Sequence, residues 1–121
     1  MELYSRWEII LAWLPNSDGS APNHPHPCIY LGKSPSRTGR IIVVGITSDL
    51  TSRVVGQSVD MPWAPGKHPI TGLDRPSMAQ TFWLPHIPLE AVRDPNIGFT
   101  PEAEQHTIAW YLNQRSASRK K

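Results

Sequence analysis

The sequence predicts a single, mainly β domain that ends in one helix, and three observations support that prediction. The chain has 121 residues, the usual length of one domain with one modest core. Its thirteen prolines and eight glycines break helix interiors and favour turns, which argues against a helical bundle. The clearest helix start signal, Thr100-Pro101-Glu102, lies near the C-terminus and follows several short apolar runs.

The strands are predicted from apolar runs that Pro, Gly and polar clusters interrupt. The predicted strands cover residues 7–14, 28–31, 41–46, 57–61 and 77–84. A long loop, rich in Pro, Asn and His, fills residues 15–27, and long ordered loops are often functional. The third strand contains the β-branched run IIVV, so we expect the sheet to assemble around it.

The helix prediction rests on its first turn. Thr100 is a good N-cap residue and Pro101 is favoured at the first helical position. Glu102 and Glu104 then lie where the helix dipole stabilises negative charge. The apolar residues that share one face at helical spacing are Ile108, Tyr111 and Leu112. We therefore predict one domain over residues 1–115 and a basic tail over residues 116–121.

Composition narrows the classes of function. Charged residues make up 18% of the chain and the net charge is +2, so the chain is not a disordered polyelectrolyte. The single cysteine, Cys28, excludes an intramolecular disulfide and a cysteine-based zinc site. His24 and His26 lack the spacing of a usual zinc site, so no metal or other cofactor is expected. No apolar run is long enough to span a bilayer and no signal peptide is recognisable, so we expect a cytoplasmic protein.

The third strand ends in Thr47, Ser48 and Asp49, three short polar residues. A rigid apolar strand that ends in hydroxyls can hold polar groups in fixed positions, which is what a binding or catalytic site needs. The same residues also form turns by bonding to their own backbone, so a purely structural role remains an alternative at this stage.

The order of motifs resembles the MazF/PemK family of bacterial toxins, the RNA-cleaving partners of toxin–antitoxin pairs. The matching segments are Ile46-Thr47-Ser48 at the end of a β-branched strand, Gly72, Leu73, Pro76 and Ser77 before the next strand, and Ile97-Gly98 before the helix start. In the family an Arg-Pro pair leads into the second strand, and here His26-Pro27 occupies that place. Where many members carry Asp-Gln, this chain has Phe82-Trp83, so the family's acidic position does not transfer.

The resemblance implies an SH3-like small barrel of the MazF/PemK/CcdB type that works as a homodimer. It implies cleavage of single-stranded RNA without a metal, and an antitoxin protein that covers the RNA groove. Since imidazole titrates near neutral pH, we predict His26 as an acid–base catalyst and Thr47 as the residue that holds a phosphate oxygen. The predicted RNA-binding residues are Ser48, Arg53, Lys33 and Trp83.

A second interpretation belongs to a different class of function. The missing arginine and the missing acidic residue favour a non-catalytic module on the same fold, one that binds RNA or a protein. It would then act on a protein target, as the related CcdB fold does on gyrase. In that case His26 is an ordinary loop residue, the cations are scattered over the surface, and Trp83 belongs to the core.

Overall fold

The β-branched run of the sequence forms the central strand, as predicted. A computed structural model describes residues 4–119, with side chains described through residue 114. Within these residues the chain forms seven strands and one α-helix, with short 3-10 turns at Leu50–Ser52 and Leu89–Ala91. The elements are β1 (Glu8–Ala12), β2 (His26–Lys33), β3 (Arg40–Thr47), β4 (Ser58–Met61), β5 (Ser77–Gln80), β6 (His86–Pro88), β7 (Val92–Phe99) and α1 (Glu102–Arg119).

The strands form one antiparallel sheet in the order β4-β5-β3-β2-β1-β7, with β6 beside the first half of β3. The mainly β fold with a C-terminal helix is thereby confirmed, but the sheet is not closed into a barrel. Within residues 4–119 the edge strands β4 and β7 do not pair. Residues 62–73 lie against β7 instead, and the Phe99 N–H donates to the Ile70 carbonyl at 2.8 Å. An irregular segment therefore occupies the place where a closing strand pair would lie.

The strands differ from the sequence prediction in their bounds, and β6 and β7 were not predicted at all. Strand β2 begins at His26 rather than residue 28, because Ala12 and Leu11 of β1 pair with its first two residues. Strand β5 ends at Gln80, where the chain turns and the backbone N–H of Trp83 donates to the Gln80 carbonyl. Strand β7 was not predicted, since its sequence VRDPNIGF is rich in turn formers. Its pairing with β1 is irregular, which accommodates those residues.

Alternate side chains of the strands pack into two core clusters, one on each face of the sheet. Ile9 and Val44 belong to the first cluster, and their neighbours Ile10 and Val43 belong to the second. Helix α1 covers the first cluster. Its residue Ile108 is fully buried there, with Tyr111 and Leu112 packed against the same cluster, as the helical spacing predicted.

The start of the helix is fastened to the first strand. The Thr100 hydroxyl is buried and donates to the Trp7 carbonyl at 2.8 Å, and the helix begins at Glu102. Helix α1 continues through Arg119, so residues 116–119 of the predicted tail are helical, while residues 120–121 lie outside the described part of the chain. No helix within residues 4–119 is both long and apolar enough to cross a membrane.

Candidate functional site

Three chain segments meet at one end of the sheet, where β2 begins, β3 ends and β5 begins. In the β2–β3 pair Cys28 lies opposite Gly45, and continuing this antiparallel register by two residues brings His26 level with Thr47. On the other side of β3, Thr47 pairs with Met78 at the start of β5. The residues that precede β5 must therefore lie beside the end of β3.

These segments enclose an open cleft of about 280 Å³. Its polar lining residues are His24, His26, Thr47, Ser48, Asp74, Arg75 and Ser77. A neighbouring hollow of about 170 Å³ shares His26 and Thr47 with the cleft and is also lined by Asp49 and Gln80. His26 and Thr47 thus separate the cleft from the hollow, and both side chains can be reached from solvent.

The His26 ring is half-buried and held from two sides. Its centroid lies 5.2 Å from the indole of Trp83 in an edge-to-face arrangement, and 4.4 Å from the ring of His24. Burial, and then the neighbouring His24, hold the pKa of His26 below its ordinary value, while a hydrogen bond to the Ile46 backbone opposes that shift. The neutral imidazole is therefore favoured near neutral pH, and a neutral imidazole can accept a proton.

The Thr47 hydroxyl makes one hydrogen bond, in which its oxygen is the acceptor. Its Oγ1 accepts a hydrogen bond from the Asp49 N–H at 3.0 Å, which engages an acceptor lone pair and leaves the hydroxyl proton for another group. The next residue, Ser48, is exposed in the same cleft. The structure thus places the three predicted residues His26, Thr47 and Ser48 together.

The other predicted RNA-binding residues lie elsewhere. Lys33 is at the opposite end of β2 from His26, so about 23 Å of strand separates their Cα atoms. Lys33 lines a different cavity, together with Arg40 and Leu89. Arg53 does not line the cleft, and its guanidinium contacts the Asp60 carboxylate at 2.6 Å.

The assignment of Trp83 as a base-stacking residue was wrong. Its side chain is only 8% exposed and belongs to the second core cluster. The indole N–H donates to the Pro15 carbonyl at 2.8 Å, and the ring covers Gly45 of the central strand. A ring this deeply buried supports His26 at the edge of the hollow but leaves little surface on which a nucleotide base could stack.

Sequence reasoning missed three residues of the cleft, namely His24, Asp74 and Arg75. In the sequence His24 stands out only as a poorly spaced zinc ligand, and nothing in the residues around Arg75 distinguishes it from other surface cations. The Asp74 and Arg75 side chains form an exposed ion pair with an Nε–Oδ1 distance of 3.1 Å. The signal that could have found them is the segment Gly72 to Ser77, since it precedes a strand that pairs with β3.

Within the part of the chain that the structure describes, no three His, Cys, Asp or Glu side chains are arranged to hold a metal ion. Cys28 is buried in the core just beyond the cleft, and burial raises the pKa of its thiol. The cleft itself is lined by two imidazoles and one carboxyl group, those of His24, His26 and Asp74.

Two solved structures have folds similar to that of this chain. A Mycobacterium tuberculosis toxin, MazF-mt6, matches 88% of this chain and 93% of its own, with a TM-score of 0.58 and 18% identity. The MazE-MazF structure from Deinococcus radiodurans matches over 93% of this chain and 95% of its own, with a TM-score of 0.57 and 15% identity. The fold is MazF-like.

The likeness is one of structure rather than of sequence. No protein-family model matches the chain, and no curated protein matches it. The MazF resemblance inferred from the order of short motifs is confirmed at the level of the fold. In this MazF-like fold His26 of β2 and Thr47 of β3 both line the cleft.

Proposed function

We propose that this protein is the toxin of a type II toxin–antitoxin pair and a sequence-specific endoribonuclease that cleaves single-stranded RNA without a metal. The observation on which the proposal depends is that His26 and Thr47, chosen from sequence, line one open cleft. The toxin among its structural neighbours supports the biological setting.

The residues of the cleft suffice for cleavage by the adjacent 2′-hydroxyl. His26 accepts the proton of that hydroxyl as its oxygen attacks the phosphorus. The Thr47 hydroxyl donates to a non-bridging phosphate oxygen, and the Arg75 guanidinium neutralises the charge that develops there. The bond between phosphorus and the 5′-oxygen then breaks and that oxygen takes up a proton, which leaves a 2′,3′-cyclic phosphate and a 5′-hydroxyl. Ser48, exposed beside Thr47, positions the RNA.

Arg75 compensates for the arginine that His26 replaces. Its pairing with Asp74 is solvent-exposed, and such pairs contribute little to stability. The guanidinium can therefore exchange the Asp74 carboxylate for a phosphate group at small cost, because both are anions that accept from its fork of N–H donors.

We also propose two protein partners, an antitoxin and a second copy of this chain. The neighbour from Deinococcus radiodurans is a MazE-MazF structure, which supports the first partner. Large apolar side chains are exposed, among them Trp110 at 61% and Ile70 at 51%, and such surfaces often mark protein contacts. The proposed site of action is the cytoplasm, where mRNA and the antitoxin are found.

The experiment is induced expression in a bacterial host, followed by purification and cleavage of single-stranded RNA in the presence of chelator. We expect the wild-type protein to arrest growth and to fragment mRNA. We expect His26→Ala and Thr47→Ala to lose both effects. His106→Ala is the matched control, since His106 is exposed on α1 away from the cleft. Arrest with intact RNA would favour the non-catalytic alternative, and wild-type cleavage by both cleft variants would refute the site.

A further inference from the structure

The cleft contains two imidazoles side by side, and the mechanism above uses only one. The ring centroids of His24 and His26 lie 4.4 Å apart, with their planes inclined by 38°. The two histidines are close in the chain as well, since Pro25 alone separates them just before and at the start of β2. Pro25 restricts its own backbone and that of the residue before it, which limits how far His24 can turn away.

Hydrogen bonds to carbonyl groups occupy one nitrogen of each ring. The Nδ1 atom of His24 lies 3.1 Å from the Pro25 carbonyl oxygen, and the His26 ring bonds to the Ile46 backbone. A carbonyl oxygen can only accept, so the bonded ring nitrogen must carry a proton. For His24 this leaves Nε2 as the atom that exchanges a proton with a ligand in the cleft.

The environments of the two rings differ. His26 is half-buried beside Trp83, whereas His24 is exposed. An imidazolium ion keeps its hydration at the exposed position and loses part of it at the half-buried one. The half-buried position therefore favours the neutral form of His26, the form that can accept a proton.

The other charged groups that face the two histidines have partners of their own. Asp74 and Arg75 line the cleft, but they pair with each other. The Asp49 carboxylate lines the neighbouring hollow and accepts hydrogen bonds from the Thr51 amide and hydroxyl. Within the described residues, no carboxylate forms an ion pair with either ring of the histidine pair.

We infer that His24 is a second catalytic residue, the general acid that protonates the 5′-oxygen leaving group while His26 acts as the base. This inference rests on the proposed endoribonuclease function. In the step, the 2′-hydroxyl proton passes to His26 and a bond forms between the 2′-oxygen and phosphorus. The bond from phosphorus to the 5′-oxygen breaks, and that oxygen takes the proton of His24. Proton exchange with water afterwards restores both rings.

The test compares two single-stranded RNAs that differ at one atom. In the first the scissile phosphate has its normal 5′-oxygen, and in the second a sulfur replaces that oxygen. A thiol loses its proton at about pH 8.5, far more readily than an alcohol, so a thiolate departs without an acid. On the oxygen substrate we expect His24→Ala to lose roughly 100-fold or more in rate, the usual contribution of a general acid.

On the sulfur substrate His24→Ala should cleave at the wild-type rate, while His26→Ala stays slow because it still lacks the base. His106→Ala should match wild type on both substrates. The pH dependence gives a second readout: wild type should show a rate maximum with a fall on both sides, and His24→Ala should lose the alkaline fall on the oxygen substrate.

The possible results distinguish failure of the proposed role of His24 from failure of the endoribonuclease proposal. An equal loss on both substrates in His24→Ala would mean that His24 only tunes or positions His26, and it would overturn the role of acid. Wild-type rates of His24→Ala on the oxygen substrate would overturn it as well. Failure of the wild-type protein to cleave either RNA would instead refute the endoribonuclease proposal itself.

Discussion

The indole ring of Trp83 covers Gly45 so closely that a Cβ atom added to the glycine would lie 2.0 Å from the ring. The same indole donates its N–H to Pro15 and presents its edge to His26. One aromatic residue thus connects the middle of β3, the loop after β1 and the candidate base. Through Trp83, the packing of the central strand β3 therefore affects the position of His26.

Gly45→Ala should destabilise the fold, because the methyl group would force the indole away from the central strand. We expect a loss of about 1–3 kcal/mol in the free energy of unfolding, the usual cost of overpacking a core. Urea denaturation of the variant and wild type measures it. Val55→Ala, at a side chain 93% exposed, is the control and should change little. Equal stability of Gly45→Ala and wild type would show that the ring does not pack as described.

The stability of the protein should depend on pH through His26. The pKa of His26 is lowered in the folded protein, so the unfolded chain takes up a proton there at a higher pH. The contribution of neutral His26 to the free energy of unfolding is therefore complete above about pH 6.5. It is lost as the pH falls from that value toward the lowered pKa of His26. Denaturation of wild type and His26→Gln at several pH values measures the difference.

His26→Gln should flatten the dependence of stability on pH in this range, because glutamine does not titrate. His106→Gln, at an exposed position on α1, should keep the slope of wild type. Parallel profiles for wild type and His26→Gln would contradict the origin of the effect at His26.

Arg75→Ala should slow RNA cleavage strongly, whereas Lys33→Ala should not. Arg75 lines the cleft, and Lys33 lies at the far end of β2. Loss of one donor to the transition-state phosphate typically costs about 100-fold in rate. Single-turnover cleavage of the same RNA by both variants measures the contrast. A similar loss for both would place the RNA backbone along the whole of β2 instead of across its start.

Thr47→Val should reduce the cleavage rate, because it keeps the shape of the side chain and removes the hydroxyl. Thr47→Ser keeps the hydroxyl and should retain most of the activity. The fold should survive both changes, since Thr47 is only half-buried and its side chain receives one backbone hydrogen bond. If valine and serine behave alike, the hydroxyl of Thr47 is not the group that contacts the phosphate.

Strong local signals made most of the elements predictable. The β-branched run of β3 and the Pro-Glu start of α1 are such signals, and both elements formed where the sequence placed them. Strand β7 was unpredictable from its own residues, because its pairing with β1 outweighs the turn preferences of Pro95 and Asn96. The sequence also did not predict that the sheet stays open, since this depends on where residues 62–73 lie against β7.

Residue types, short periodicity and motif order were enough to predict the mainly β class, the terminal helix and the candidates His26, Thr47 and Ser48. The positions of Trp83 in the core, of Lys33 far from the cleft and of His24 and Arg75 inside it follow from the folded structure alone. They do so because a cleft is formed by strand register, which brings together residues separated by dozens of positions in the chain. No local pattern of residues indicates which distant segments will become neighbours in the sheet.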